Sequence, residues 1–129
     1  MKFNLELGSE GTYLIRSYQA GEISVAAALA QPETLTHSVV ITPQRLLRDW
    51  PPQRFDELRA DHFAMLADLR PEVVLLGCGN RLRFPHPSLT APLTALGIAV
   101  EAMDTGAACR TYNILIAEGR QVAAALLMI

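Results

Sequence analysis

Met103-Asp104-Thr105-Gly106-Ala107-Ala108-Cys109-Arg110-Thr111-Tyr112-Asn113 runs on to Glu118-Gly119-Arg120 and then into Val122–Met128. The stretch reads as a strand end, a capped helix and a second strand. Asp104 or Thr105 offers a side-chain oxygen to a first-turn N–H. Gly119 supplies the stop after Glu118, since glycine takes the left-handed helix cap without strain. Ile98–Ala102 before the helix and Val122–Met128 after it are apolar runs of strand length. Joining two such strands through a helix gives parallel pairing and a right-handed crossover.

The same alternation extends upstream. Ser88–Leu96 reads as a short helix, capped by Ser88 and ended by Gly97. Glu72–Gly77 is a continuous apolar run between Pro71 and Gly77, read as a fully buried strand. Phe55, Leu58, His62, Met65, Leu66 and Leu69 recur at helical spacing, with Asp56 and Glu57 in the first turn and Arg70 in the last. Pro71 stops that helix, and Trp50-Pro51-Pro52 excludes regular helix before it. His37–Thr42 is a further strand, closed by Pro43. Tyr13–Tyr18, Ala20-Gly21-Glu22 and Ile23–Val25 read as a β-hairpin. Ala26–Ala30 can continue its second strand or form a helical turn, and Gly8-Ser9-Glu10-Gly11 is a loop signal. The expectation is one α/β domain over residues 1–129, with an N-terminal hairpin at about 12–26 and an alternating β/α unit at about 37–128. Its sheet is largely parallel with helices on its faces.

Composition narrows the function classes. Among 129 residues, 50% are hydrophobic and 19% charged, which suits strands buried on both faces. The net charge of −2 supplies no broad basic field for a nucleic-acid backbone, so no nucleic-acid partner is expected. Cys78 and Cys109 lack metal-ligand spacing and read as reduced thiols. The three histidines share no ligand spacing either, so neither a metal nor another cofactor is expected. Met1–Glu6 has no apolar signal core, and no run of about 18 apolar residues exists to span a membrane. The expected location is cytoplasmic.

In an open α/β sheet, ligands collect beyond the carboxyl ends of the strands. The ends at Thr42-Pro43, Gly77-Cys78-Gly79-Asn80 and Met103-Asp104-Thr105 share one edge if their strands are parallel. This nominates Gly77, Gly79, Asn80, Arg81, Arg83, Asp104 and Thr105 as ligand-binding residues. Exposed loop N–H groups with Arg81 and Arg83 would hold a small anion. The competing reading is that the glycines turn the chain sharply and that Asp104 and Thr105 are helix caps. The loop lacks both G-x-G-x-x-G and a Gly-Lys-Ser/Thr ending, and Pro85 and Pro87 prevent a helix from following directly. Cys78 has only His86 as a sensible base, so no catalytic residue is assigned. Cys109 lies near a helix start but shares a face with Ala108, Tyr112 and Ile116, which marks a buried thiol. Arg110 and Asn113 fall on one helix flank, where Arg110 can pair with Asp104 or Glu118 or face a partner. Trp50, beside two prolines, is a loop anchor over the core or a contact surface.

The set Met103-Asp104-Thr105, Ala108, Thr111-Tyr112-Asn113, Glu118-Gly119-Arg120 and Val122–Leu126 resembles a family of small α/β domains of unknown function. That family occurs in bacteria and archaea and includes the mitochondrial complex I assembly factor 3. Gly77-Cys78-Gly79 with Pro85, Ile15-Arg16-Ser17-Tyr18, and Val39–Pro43 leading to Trp50 extend the resemblance over nearly the whole chain. The chain departs from the family at Cys78, where threonine is usual, and at Ala26-Ala27-Ala28, where a glycine is usual. The resemblance implies a three-layer α/β fold with a central mixed sheet and no established enzyme activity. The eukaryotic relative helps assemble the respiratory NADH:ubiquinone oxidoreductase with a partner assembly factor at the inner membrane.

Two functions follow as expectations. The first is a non-catalytic protein-interaction or assembly factor, by resemblance for a respiratory membrane complex, with Trp50, Arg110 and Asn113 as partner-binding residues. Its contact with a membrane would run through a partner. The second is a small-anion or small-molecule binding protein, or an enzyme, using the Gly77–Gly79 loop pocket. No general base sits beside a nucleophile, which weighs against catalysis. Oligomeric state is left open, although the apolar content leaves room for a dimer interface.

Overall fold

The computed structural model of the chain describes residues 11–27 and 30–128. Strands β1 (Tyr13–Gln19), β2 (Glu22–Ala27) and β3 (Glu33–Leu35) form an antiparallel sheet in that order. A second sheet contains β4 (Val39–Ile41), β5 (Leu46–Leu47), β6 (Val73–Gly77), β7 (Ala99–Met103) and β8 (Val122–Leu126), ordered β5-β4-β8-β6-β7. Its helices are α1 (Ala60–Ala64), α2 (Pro87–Thr94) and α3 (Thr105–Ala117).

The five-stranded sheet is the middle layer, and the period-two alternation of its strands divides the core. Ile41, Leu75 and Ala124 face Ile15, Ile23 and Val25 of the small sheet together with Ala108, Cys109 and Tyr112 of α3. Val40, Val74, Leu76, Ala123 and Ala125 face Trp50, Leu58, Phe63, Leu66 and Leu93. β8 lies between β4 and β6 and is buried throughout, so its Val-Ala-Ala-Ala-Leu text is that of a strand with packed layers above and below. β7 is an edge strand, and its Ala99 and Glu101 are exposed.

The N-terminal hairpin is formed by β1 and β2, and strands alternate with helices from β6 through α2, β7 and α3 to β8. Ala26 and Ala27 continue β2, whereas Ala28 and Leu29 lie outside the described residues, as do Met1–Glu6 and all but Gly11 of the Gly8–Gly11 loop. β3 and β5 have no counterpart in the sequence reading. Strands of three and two residues are too short to show a period.

Three expectations need correction. The helix expected from Phe55 to Leu69 is interrupted. A 3-10 turn spans Phe55–Glu57, α1 follows, and a second 3-10 turn covers Met65–Leu69. Leu58 and Arg59 are both extended, and His62 Nδ1 accepts the Arg59 N–H at 3.0 Å, which starts a new helix. The break resets the helical phase, so Phe63 is buried where the pattern nominates His62, and Met65 is exposed. α2 begins at Pro87, with His86 Nδ1 rather than Ser88 as the cap, accepting from Ser88 N at 3.1 Å. Pro87 suits the first helical position, where no N–H is needed.

The third correction concerns the direction of β4 within the mixed sheet. β6, β7 and β8 are parallel, but β4 runs antiparallel to β8. The Thr42-Pro43 end therefore lies at the opposite edge from Gly77 and Met103, next to the start of β8, where Gln44 and Gln121 bond.

Candidate functional site

Thr105 joins the ends of three elements. Its hydroxyl donates to Leu127 O at 2.7 Å and accepts from Gly79 N at 2.8 Å, while its own N–H donates to Gly79 O at 2.9 Å. Gly77 makes room for this knot. A Cβ there would stand 3.0 Å from Thr105 Oγ1, 3.1 Å from Thr105 Cα and 2.9 Å from Leu126 Cδ2. Gly79 has a φ of +98°, a left-handed conformation. Cys78 N donates to Met103 O at 2.8 Å. The N–H groups of Cys78 and Gly79 are thus spent on closing the sheet rather than offered to an anion. Asp104 accepts from Ala107 N at 2.8 Å and caps α3.

Asn80, Arg81 and Arg83 do come together, in an open concavity of about 470 Å³ that Arg54, Phe55, Asp56 and Cys78 also line. Gly77, Gly79, Asp104 and Thr105 stand behind it as scaffold. Arg83 lies over the Phe55 ring, 4.2 Å from its centroid, and reaches Asp56 at 3.5 Å. Arg54 approaches Glu57 at 3.6 Å. These acids offset part of the positive charge. Arg54 gave no signal in the sequence, because only the turn after Pro52 carries it to the end of β6.

The thiols are not poised for chemistry. Cys78 Sγ donates to Arg83 O at 3.1 Å, and burial pushes its pKa up. His86 is occupied as a helix cap. Burial raises Cys109 from an ordinary 9.0 to about 12, with Arg110 partly opposing the rise. Because the folded-state value is the higher one, stability is intact below pH 9 and falls as pH rises through about 12. Denaturation midpoints at pH 8 and pH 11 should therefore differ less in Cys109→Ala than in the parent chain. An equal alkaline loss in both would refute the assignment.

The three partner-binding candidates have different surroundings. Trp50 is fully buried, with Nε1 donating to His62 O at 3.4 Å, so it anchors the loop and presents no surface. Asn113 is half-buried and occupied: Nδ2 donates to Ile15 O at 2.7 Å and Oδ1 accepts from Ile15 N at 3.1 Å. It pairs the outer edge of β1 as a neighbouring strand would. Arg110 is exposed and lines a cleft between β1 and α3. Arg16 lines the same cleft and was missed, since its position depends on an irregularity in β1. Among the described residues no group of three or more His, Cys, Asp or Glu could hold a metal ion, and no helix is long and apolar enough to cross a membrane.

The chain is 36% identical over 90 residues to mouse NADH dehydrogenase [ubiquinone] 1 alpha subcomplex assembly factor 3, covering 68% of this chain and 48% of the relative. It thus spans about half the length of the curated assembly factors it matches. It is also 36% identical over 124 residues to an uncharacterized protein of Rhodobacter capsulatus, covering 95% of this chain and 90% of that one. A crystal structure of a Bordetella parapertussis protein superimposes with a TM-score of 0.83 at 38% identity, over 94% of this chain and 99% of that one. Residues 15–127, from β1 to the residue after β8, match a family described as protein of unknown function (DUF498/DUF598), and the chain belongs to that family.

Proposed function

We propose that this chain is a non-catalytic, cytoplasmic interaction domain that assists assembly of a respiratory membrane complex. The observation that carries the reading is its 36% identity to the mouse assembly factor over 90 residues; in this chain the Thr105 knot ties together the ends of β6, α3 and β8. The loop leaving that knot supports it, because Leu82 and Phe84 are 47% and 76% exposed there. Apolar side chains held outward on a rigid base suit contact with a protein partner. Arg110 is the one exposed residue of the three partner candidates.

A tagged chain recovered from gently solubilised membranes of its native host should retain identified subunits or assembly components of the NADH:ubiquinone oxidoreductase. Phe84→Ser or Arg110→Glu should release them while the far-ultraviolet spectrum stays unchanged. Recovery without any respiratory component would defeat the reading.

A second reading, a small-anion binder at the glycine loop, is favoured by the shared concavity of Asn80, Arg81 and Arg83. It rests on those three side chains and Arg54, with the glycines as support.

A further inference from the structure

β1 contains an irregularity that keeps both Ile15 and Tyr18 on the core side, opposite Val25 and Ile23, and leaves Arg16 outside the pairing. Ile15 pairs with Val25, but Ser17 pairs with Ser24, so Arg16 is an extra residue without a partner in β2. A bulge of this kind redirects a side chain. Asn113 holds both polar groups of Ile15, the residue immediately before the bulge. Arg110 lies one helical turn before Asn113 on α3, and residues three apart share a flank. The bulge and the helix thereby bring Arg16 and Arg110 to one cleft of about 290 Å³.

Among the described residues no carboxylate lines that cleft. The salt bridges among the described residues engage Arg48, Arg54, Arg83 and Arg120, but neither Arg16 nor Arg110. Two cations sharing a concavity repel one another unless an anion lies between them. The nearest acid on α3, Asp104, caps the helix through Ala107 N. Ser17 and Tyr18 contribute hydroxyl-bearing side chains to the lining. Burial, with Cys109 and Asp104, raises the Tyr18 pKa and keeps its hydroxyl a donor. Gly106 lets the Tyr18 ring lie on the first turn of α3, since a Cβ there would stand 3.2 Å from the ring. The Arg54–Arg81–Arg83 concavity differs in having Asp56 in its own lining.

We propose that the β1–α3 cleft binds a small oxyanion, a phosphate or carboxylate group carried by a small molecule, through Arg16 and Arg110 acting together. Guanidinium groups suit this ligand because their paired N–H donors match two oxygens of one anion. The cleft has the size of a small-molecule pocket, and the net charge of −2 disfavours an extended polyanion. This inference shares Arg110 with the assembly reading but does not rest on it, and its test contains no protein partner.

The full chain, labelled with ¹⁵N, would be titrated with inorganic phosphate and separately with acetate, at constant ionic strength against sodium chloride. Saturable shifts are expected at the amides of Arg16, Ser17, Tyr18 and Gly106–Arg110. Stronger binding of phosphate than of acetate, or the reverse, identifies which oxyanion the cleft prefers. Arg16→Gln and Arg110→Gln should each weaken binding about tenfold, with amide positions elsewhere unchanged. Shifts that chloride reproduces, that survive both substitutions, or that centre on Asn80–Arg83 would overturn the proposal.

Discussion

Trp50→Ala is expected to lower the unfolding free energy by about 3–5 kcal/mol, the range for emptying a large buried aromatic site. The indole is fully buried among Leu58, Phe63, Leu66 and Leu93 on one side of the central sheet. Its ring meets Phe63 edge-on at 6.3 Å and His62 at 6.2 Å. The backbone is held as well, with Trp50 N donating to Ser38 O at 3.0 Å and Gln53 Nε2 donating to Trp50 O at 3.0 Å. That frame prevents the chain from collapsing into the space an alanine would leave. Typical stabilities are about 5–15 kcal/mol, so the loss would remove much of the whole. Trp50→Phe keeps most of the volume and should lose markedly less. Chemical denaturation of the three proteins measures this. An unfolding free energy for Trp50→Ala within about 1 kcal/mol of the parent would contradict the anchor assignment. Any loss of partner binding in Trp50→Ala should therefore track the unfolded fraction.

Thr105→Val should cost about 2–5 kcal/mol although it preserves shape. The substitution leaves Leu127 O and Gly79 N without their bonds of 2.7 and 2.8 Å, in a place with no exposed surface. Each stranded buried group costs about 1–3 kcal/mol. Thr105→Ser retains the hydroxyl, loses one methyl and should cost about 1 kcal/mol. Hydrogen exchange gives the local readout, since the Gly79 amide should exchange much faster in Thr105→Val and little faster in Thr105→Ser. Equal protection in both variants would show that the hydroxyl does not hold the knot.

The candidate site was legible only in outline. Asn80, Arg81 and Arg83 are near one another in the chain and meet in one concavity, as local sequence can anticipate. Whether Gly79 N is free for an anion could not be read there, because its acceptor lies 26 residues away on Thr105. The same holds for Asn113, whose bonds to Ile15 cross 98 residues. Arg16 reads as an ordinary strand residue until the register of β1 against β2 shows the bulge.

The sequence by itself determined what local interactions dictate. The Asp104 cap, the apolar run Val73–Gly77, the hairpin around Gly21 and the strand–helix alternation depend on caps, turns and periods among near neighbours. It did not determine the direction of β4, the break at Leu58–Arg59, or which arginines share a cleft. Those depend on contacts between distant segments: the pairing of β4 with β8, the packing of Phe63 and Leu66 around Trp50, and the hold of α3 on β1. Only tertiary burial decides them, because the free energy of packing a core outweighs the modest preferences of any short stretch of chain.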